Sequence, residues 1–260
     1  MKRYAVQLAY DGTNYCGWQI QPNGETVQEV LNKAFSLLLR QNIALTGCGR
    51  TDSGVHAAYY VAHFDADINI DYNQLTNKLN SFLPDDIRIF NIISVPEDFN
   101  SRYNAIKRTY KYYICTQKQV FNNKYSWHVH IEPDIELMNA ACKILIGEKD
   151  FTSFSKLHTD TANNICNVSE AKWVKDGENF IFTVSANRFL RNMVRAMVGT
   201  LIEVGNNKLN PADVSDILEV KNRCKAGQSV PAKGLFLYDV VYDDGYNITK
   251  LDLKNKKLLE

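Results

Sequence analysis

The chain lacks any CxxC pair and any cysteine–histidine spacing that builds a zinc finger. Its six cysteines, Cys16, Cys48, Cys115, Cys142, Cys166 and Cys224, are scattered over 260 residues. That excludes a dense disulfide scaffold and points to reduced thiols in a cytosolic protein. No apolar stretch is long enough to cross a bilayer, and the opening "MKRYAVQLAYDG" has no extended apolar core of the kind a secretion signal carries. An excess of one charge is missing too: 30 Lys and Arg stand against 29 Asp and Glu, a formal net charge of +1. A polyanion partner must therefore be met by local basic patches, because the whole molecule provides no attracting field. Walker loop, dinucleotide fingerprint, G-x-S-x-G elbow and low-complexity linker are all absent. The expectation is a soluble, cytoplasmic chain of one large domain or two moderate ones.

With 45% hydrophobic residues, a substantial core is affordable. Alternation of Tyr4, Val6, Leu8 and Tyr10 predicts a half-buried strand closed by "DGTN". In "TVQEVLNKAFSLLLRQ", Val27, Val30, Leu31, Ala34, Phe35 and Leu38 form one helical stripe. Further strands are expected at "IALTGCG", "YYVAHFDAD", "DIRIFNIISV", "RTYKYYICT", "EAKWVK", "NFIFTVSA" and "GLFLYDVVY". Helices are expected at "DYNQLTNKLNSFL", from Pro133 towards Gly147, along all of "NRFLRNMVRAMVGTLIEVG", and from Asn210 and Pro211. This order, with few continuous apolar runs, predicts an α+β fold with a mainly antiparallel central sheet and helices packed on one side. The proposed division is 1–104 and 105–260. The terminal "KLDLKNKKLLE" is expected to fray at the surface.

Three clusters carry chemical interest. The loop "GCGRTDSGVHA" places Arg50 two residues before Asp52 among three glycines, which let a backbone turn sharply or approach a ligand. A neighbouring guanidinium lowers a carboxylate pKa by about 1–3 units; equally, an Asp-Ser-Gly turn with a surface ion pair explains "RTD" on its own. His56 alone reads as a packing or backbone-bonding side chain. The second cluster, "FNSRYNAIKRTYKYY", interleaves Arg102, Lys107, Arg108 and Lys111 with Phe99, Tyr103, Tyr110, Tyr112 and Tyr113. Such a face can meet phosphates and stack unpaired bases at ~1–3 kcal/mol each, or it can be a tyrosine-rich core strand with solvated charges. In the third, Arg188, Arg191 and Arg195 recur at i, i+3 and i+7, a basic helical stripe for a polyanion or a buried carboxylate. "HVH", with His128 and His130, shows no further metal ligands at sensible spacing.

Taken together, "YDGTNYCGWQ", "TVQEVL", "GRTDSGVHA", "LPDDIRI", "FNSRYNAIKRTYKYYI", "GEKDFTSF", "ANRFLRNMVRAMVGTLIEVG" and "GLFLYDVVY" resemble, in order, the tRNA pseudouridine synthase A family (TruA type). The resemblance implies two ferredoxin-like (RRM-like) halves forming one pseudouridine-synthase fold. It implies Asp52 as nucleophile, Tyr110 against the target uracil, Arg195 paired with the aspartate, and Arg50 as ordering the active site or contacting the RNA; from the two basic clusters, Arg108, Lys111 and Arg191 are expected to contact the RNA too. Cys166 and Asn167 stand where the family often carries an arginine. It further implies an isomerase with no metal and no organic cofactor, acting as a homodimer on tRNA at uridines 38, 39 and 40 of the anticodon stem-loop. The carboxylate either attacks C1′, as a retaining glycosidase nucleophile does, or removes a C2′ proton to give a glycal.

Overall fold

A computed structural model describes residues 1–67, 71–118, 120–156 and 163–248; the C-terminal "KLDLKNKKLLE", expected to fray, lies outside the described residues. The elements begin with β1 (Lys2–Tyr10), α1 (Val27–Leu39), β2 (Thr46–Gly47), β3 (His56–Ala66), α2 (Tyr72–Phe82), β4 (Ile87–Ser94), β5 (Ala105–Cys115) and β6 (Trp127–His128). They continue with α3 (Ile135–Leu145), β7 (Gly147–Asp150), β8 (Ile165–Asp176), β9 (Asn179–Ala186), α4 (Met193–Gly205), α5 (Asp213–Glu219) and β10 (Leu235–Tyr242). The fold is α+β with a mostly antiparallel sheet, as the pattern predicts; the β5–β6 pair is parallel. Among the described residues no helix is long and apolar enough to cross a membrane. Contacts group the chain into two compact units: Met1–Lys107 with the stretch from Leu237 onward, and Arg108–Phe236.

In the first unit the strand order is β4-β1-β3-β10, with β1 antiparallel to both β3 and β4. Tyr4 and Phe64 are register partners, stacked at 5.6 Å. Phe35 of α1 meets Phe64 edge-on at 4.9 Å and Tyr72 of α2 meets Tyr4 at 5.7 Å, so both helices cover the same sheet face. The stripe expected on α1 is buried at Val27, Leu31, Ala34 and Phe35, and half-buried at Val30 and Leu38. Thr26 caps this helix.

The polar side of α1 does something that periodicity does not show. Gln28, Asn32 and Ser36, at successive i+4 positions, bond the backbone of the returning chain. Gln28 Nε2 donates to the Leu45 carbonyl (2.7 Å), while Asn32 Oδ1 and Ser36 Oγ accept from the Leu45 and Ile43 amides (both 2.9 Å). These backbone groups are satisfied by a helix instead of a neighbouring strand. The strand expected at "IALTGCG" therefore shrinks to the two residues of β2.

In the second unit the order is β5-β9-β8-β7, antiparallel throughout. Asp134 caps α3, bonding the amides of Glu136 and Leu137, and Gly147 follows the helix with φ +100°. Asn139 on α3 bonds both the N–H and C=O of Trp173 on β8 (2.8 and 3.1 Å). Asn80 on α2 does the same for Ile89 on β4 (2.8 Å each). In each unit a helix asparagine thus occupies peptide groups that would otherwise invite a foreign strand.

Two helix expectations are corrected. The helix expected along all of "NRFLRNMVRAMVGTLIEVG" begins only at Met193, after Asn192 at φ +66°. The left-handed backbone at Asn192 sets this boundary, because a right-handed helix cannot run through it; upstream, Asn187 Oδ1 accepts from the Arg188 and Asn167 amides (2.8 and 2.9 Å), fixing the chain to β8. Similarly, α5 starts at Asp213 and not at Pro211, because Asn210–Ala212 form a preceding turn in which the Asn210 amide donates to Asp213 Oδ2 (2.7 Å).

Candidate active site

The first unit holds Asp52 in the loop between β2 and β3. Two glycines of the segment after β1 let the chain lie directly on this loop. A Cβ on Gly12 would sit 2.0 Å from the Val55 carbonyl oxygen. One on Gly17, whose φ is +87°, would sit 2.4 Å from the Thr51 carbonyl oxygen and 3.1 Å from the Asp52 carbonyl carbon. Hydrogen bonds close the contact. The Trp18 amide donates to Thr51 C=O and the Gly54 amide to Tyr15 C=O (3.3 Å each), and Ser53 Oγ donates to the same Tyr15 carbonyl (3.2 Å). Thr51 Oγ1 lies 2.9 Å from the Tyr10 hydroxyl, and the Val55 amide turns back onto Asp52 C=O (3.1 Å). Asp52 is left half-buried and Arg50 exposed on a loop tied at both ends.

His56, 1% exposed, is the far tie. Its Nδ1 accepts from the Gly12 amide at 3.0 Å and also lies 2.9 Å from Asp11 Oδ1. The amide bond needs a lone pair on Nδ1, whereas an ion pair with Asp11 needs a proton there, so the two exclude each other. We assign the amide bond, because Asp11 Oδ1 already accepts from the Thr13 amide (2.9 Å) and from Thr13 Oγ1. His56 is thus a backbone-bonding residue, in keeping with its sequence reading.

In the second unit, Tyr110 is half-buried on β5 opposite Val184, with the Phe189 ring edge-on at 5.1 Å. Arg195 lies in the first turn of α4. Its Nε donates to the Val230 carbonyl (2.7 Å) and its own carbonyl accepts from the Val230 amide (3.3 Å), so one peptide stretch holds both ends of the residue. Close approach makes this possible: a Cβ on Gly199 would sit 1.9 Å from the Gln228 carbonyl oxygen. Tyr112 is fully buried and donates to Pro231 C=O (2.8 Å). Burial pushes its phenol far above the ordinary range, with the charge of Arg195 opposing weakly, so it remains a neutral donor.

The basic-aromatic cluster divides. Phe99, Tyr112 and Tyr113 are core residues, whereas Tyr103 is 77% exposed and Tyr110 half-buried. Arg108 Nη1 donates to the Asn187 carbonyl (2.7 Å), Lys111 is half-buried and Arg191 exposed. Because α4 starts at Met193, Arg188 and Arg191 lie in the non-helical stretch before it and do not continue a helical stripe with Arg195. The His128 and His130 rings meet edge-on at 4.8 Å, and among the described residues no group of three His, Cys, Asp or Glu side chains is arranged to hold a metal ion.

A family model described as tRNA pseudouridine synthase matches residues 6–104 and 141–243. The chain belongs to the tRNA pseudouridine synthase family. Its relatives include "tRNA pseudouridine synthase A" of Bacteroides thetaiotaomicron, 51% identical over 94% of this chain and 92% of that one. The protein of the same name from Bacteroides fragilis is 50% identical over 93% and 97%, and that from Clostridium acetobutylicum 43% identical over 93% and 100%. A chain of the crystal structure of a Cbf5-Nop10-Gar1 complex aligns at 12% identity with a TM-score of 0.32, covering 76% of this chain and 45% of its own, a likeness too slight to bear on the fold. As a pseudouridine synthase, this protein is an isomerase. The family match takes in Asp52 and Arg195; Tyr110, Arg108 and Lys111 fall in the interval between its two segments.

Several members of the synthase's loop framework escaped sequence reasoning. Gly12 and Gly17 read as ordinary turn residues, and nothing local marks Thr51, Phe189 or the Val230 carbonyl as partners. The available signal was the pairing of "DG" and "CGW" upstream with a glycine-rich loop downstream, two irregular stretches that need Cβ-free backbone for the same contact.

Proposed function

We propose that this chain isomerises uridine to pseudouridine at positions 38, 39 and 40 in the anticodon stem-loop of tRNAs, acting as a cytoplasmic homodimer. The reading is supported above all by the loop from Thr51 to His56, hydrogen-bonded to Gly12, Tyr15 and Trp18, which holds one half-buried carboxylate, Asp52, on a backbone tied at both ends. A reaction at a ribose carbon needs a carboxylate held in place, since reactivity falls steeply as the reacting atoms drift from alignment.

The isomerisation breaks N1–C1′, turns the uracil and joins C5 to C1′; the C5 proton then leaves and N1 gains one, so product and substrate have the same atoms. Asp52 either attacks C1′ and is released when C5 takes its place, or removes the C2′ proton to give a glycal and returns it as C5 joins C1′. The family resemblance makes Arg195 the partner of this carboxylate. Tyr110 confines the detached base. Arg50, Arg108, Lys111 and Arg191 bind the RNA, whose target nucleotide leaves the stack at a cost of a few kcal/mol.

Asp52→Asn is the direct test. Tritium release from tRNA labelled at uridine C5 should be abolished while tRNA binding persists; turnover in this variant removes Asp52 from the role. Sequencing the modified positions in the wild-type product tests the assignment to 38, 39 and 40.

A further inference from the structure

Beside the Asp52 loop, within the first unit, lies a cavity of about 180 Å³ bordered by Trp18, Gln19, Thr46, Gly49, Arg50 and Arg102, among other residues. Two guanidinium groups and no carboxylate occur among the described residues lining it. We infer that it is a subsite for an RNA phosphodiester next to the target uridine, with Arg102 as a phosphate-binding residue. The inference rests on the tRNA isomerase reading and extends it to a residue and a pocket outside the Asp52, Tyr110 and Arg195 set.

The chemistry of the lining selects the ligand. A base would need an open aromatic face, but Trp18 is 1% exposed and its ring is stacked on Tyr60 at 4.1 Å. What the cavity offers instead is the planar donor fork of arginine, which matches phosphate oxygens. Its volume fits a phosphodiester with a few waters and falls short of the roughly 300 Å³ at which pockets for whole drug-sized ligands begin. The acidic cavity elsewhere in this unit, bordered by Asp98 and Asp243, is the wrong sign for an anion.

The backbone beneath Arg102 is fixed although its side chain is exposed. The preceding residue, Ser101, is fully buried and held at three points. Its amide donates to His63 Nδ1 (3.2 Å), its Oγ to the Thr46 carbonyl (2.7 Å), and its carbonyl accepts from the Tyr242 hydroxyl (2.7 Å). The Arg102 amide donates to Asn100 Oδ1 (3.0 Å). Thr46 itself borders the cavity, so one hydrogen bond ties the arginine's anchor to another part of the lining. A long cation on a pinned backbone is presented to a ligand at reduced entropic cost.

Three proteins test this, wild type, Arg102→Gln and Arg102→Lys, each assayed for tRNA binding across a salt series and for steady-state turnover. Each phosphate neutralised contributes about 0.7–0.9 to the slope of log K against log salt. Arg102→Gln should flatten the slope by that amount and raise KM about tenfold, the scale of one charge-assisted contact, with kcat at saturating tRNA within about twofold. Arg102→Lys should restore the slope, which a purely structural role for Arg102 would not produce. An unflattened slope in Arg102→Gln, or a flattened slope that Arg102→Lys leaves unrestored, overturns the inference. Wild-type protein that binds tRNA without forming pseudouridine sinks the enzymatic reading and leaves the salt test standing, so the two failures are separable.

Discussion

Gly17→Ala is the sharpest probe of how the loop is held. The new Cβ would lie 2.4 Å from the Thr51 carbonyl oxygen, against backbone that cannot rotate aside, at a residue whose φ is +87°. The left-handed conformation costs a non-glycine residue about 1–2 kcal/mol, and relieving the overlap adds roughly 1–3 kcal/mol. The expected loss of stability is their sum, about 2–5 kcal/mol. Ordinary contact distances require the Thr51–Asp52 backbone to retreat by roughly 1 Å, and a misplacement of that size can cost about a hundredfold in rate. Gly177→Ala is the control: it also has positive φ, +56°, but its Cβ would meet nothing within 4 Å. It should cost about 1–2 kcal/mol and leave kcat alone. Urea denaturation gives the stabilities, and tritium release at saturating tRNA gives kcat. A folded Gly17→Ala variant with wild-type kcat would refute the claim that backbone approach at this glycine positions Asp52.

Two further outcomes follow from other elements. Burial, aided by the charge of Arg3, lowers the His63 pKa to about 4, against 6.5 in an unfolded chain; Asp65 opposes this weakly. Between these values the unfolded state binds the extra proton, so stability falls as pH drops from about 6.5 to about 4 and levels off below. The drop in urea midpoint between pH 7 and pH 4.5 should shrink in His63→Gln, and an unchanged drop assigns the acid sensitivity elsewhere. Asn139→Ala strips the Trp173 peptide of both its side-chain bonds and should destabilise by about 1–3 kcal/mol, read from the thermal midpoint; no measurable change would show that water replaces the amide without loss.

Much of the architecture was legible because it depends on near neighbours. The stripe on α1, the alternation along β1 and the glycine that ends α3 are set by side chains within a few residues of one another. Asp52 stood out for the same reason, in a loop whose composition exceeds what a plain turn requires. Where a local rule failed, a competing hydrogen bond from further away had won. Asn187 bonds the β8 backbone at Asn167 where a helix was expected, and the side chains of α1 satisfy Ile43 and Leu45 where a strand was expected. The tyrosines of β5 could not be sorted by sequence: Tyr110 and Tyr112 share a face but differ in burial, whereas Tyr112 and Tyr113 lie on opposite faces and are both buried, because the cover changes along the strand.

By itself, then, the amino-acid order determined the element types, the mostly antiparallel α+β character and the candidate carboxylate. Only the tertiary structure decided that Gly12 and Gly17 touch the Asp52 loop, that Ser101 pins the backbone under Arg102, and that β10, near the chain's end, lies beside β3 in the first unit. The physical reason is range. Periodicity and capping act over one or two turns of chain, whereas these contacts join residues tens to more than a hundred positions apart, brought together by shared burial and by the need to satisfy every buried peptide group.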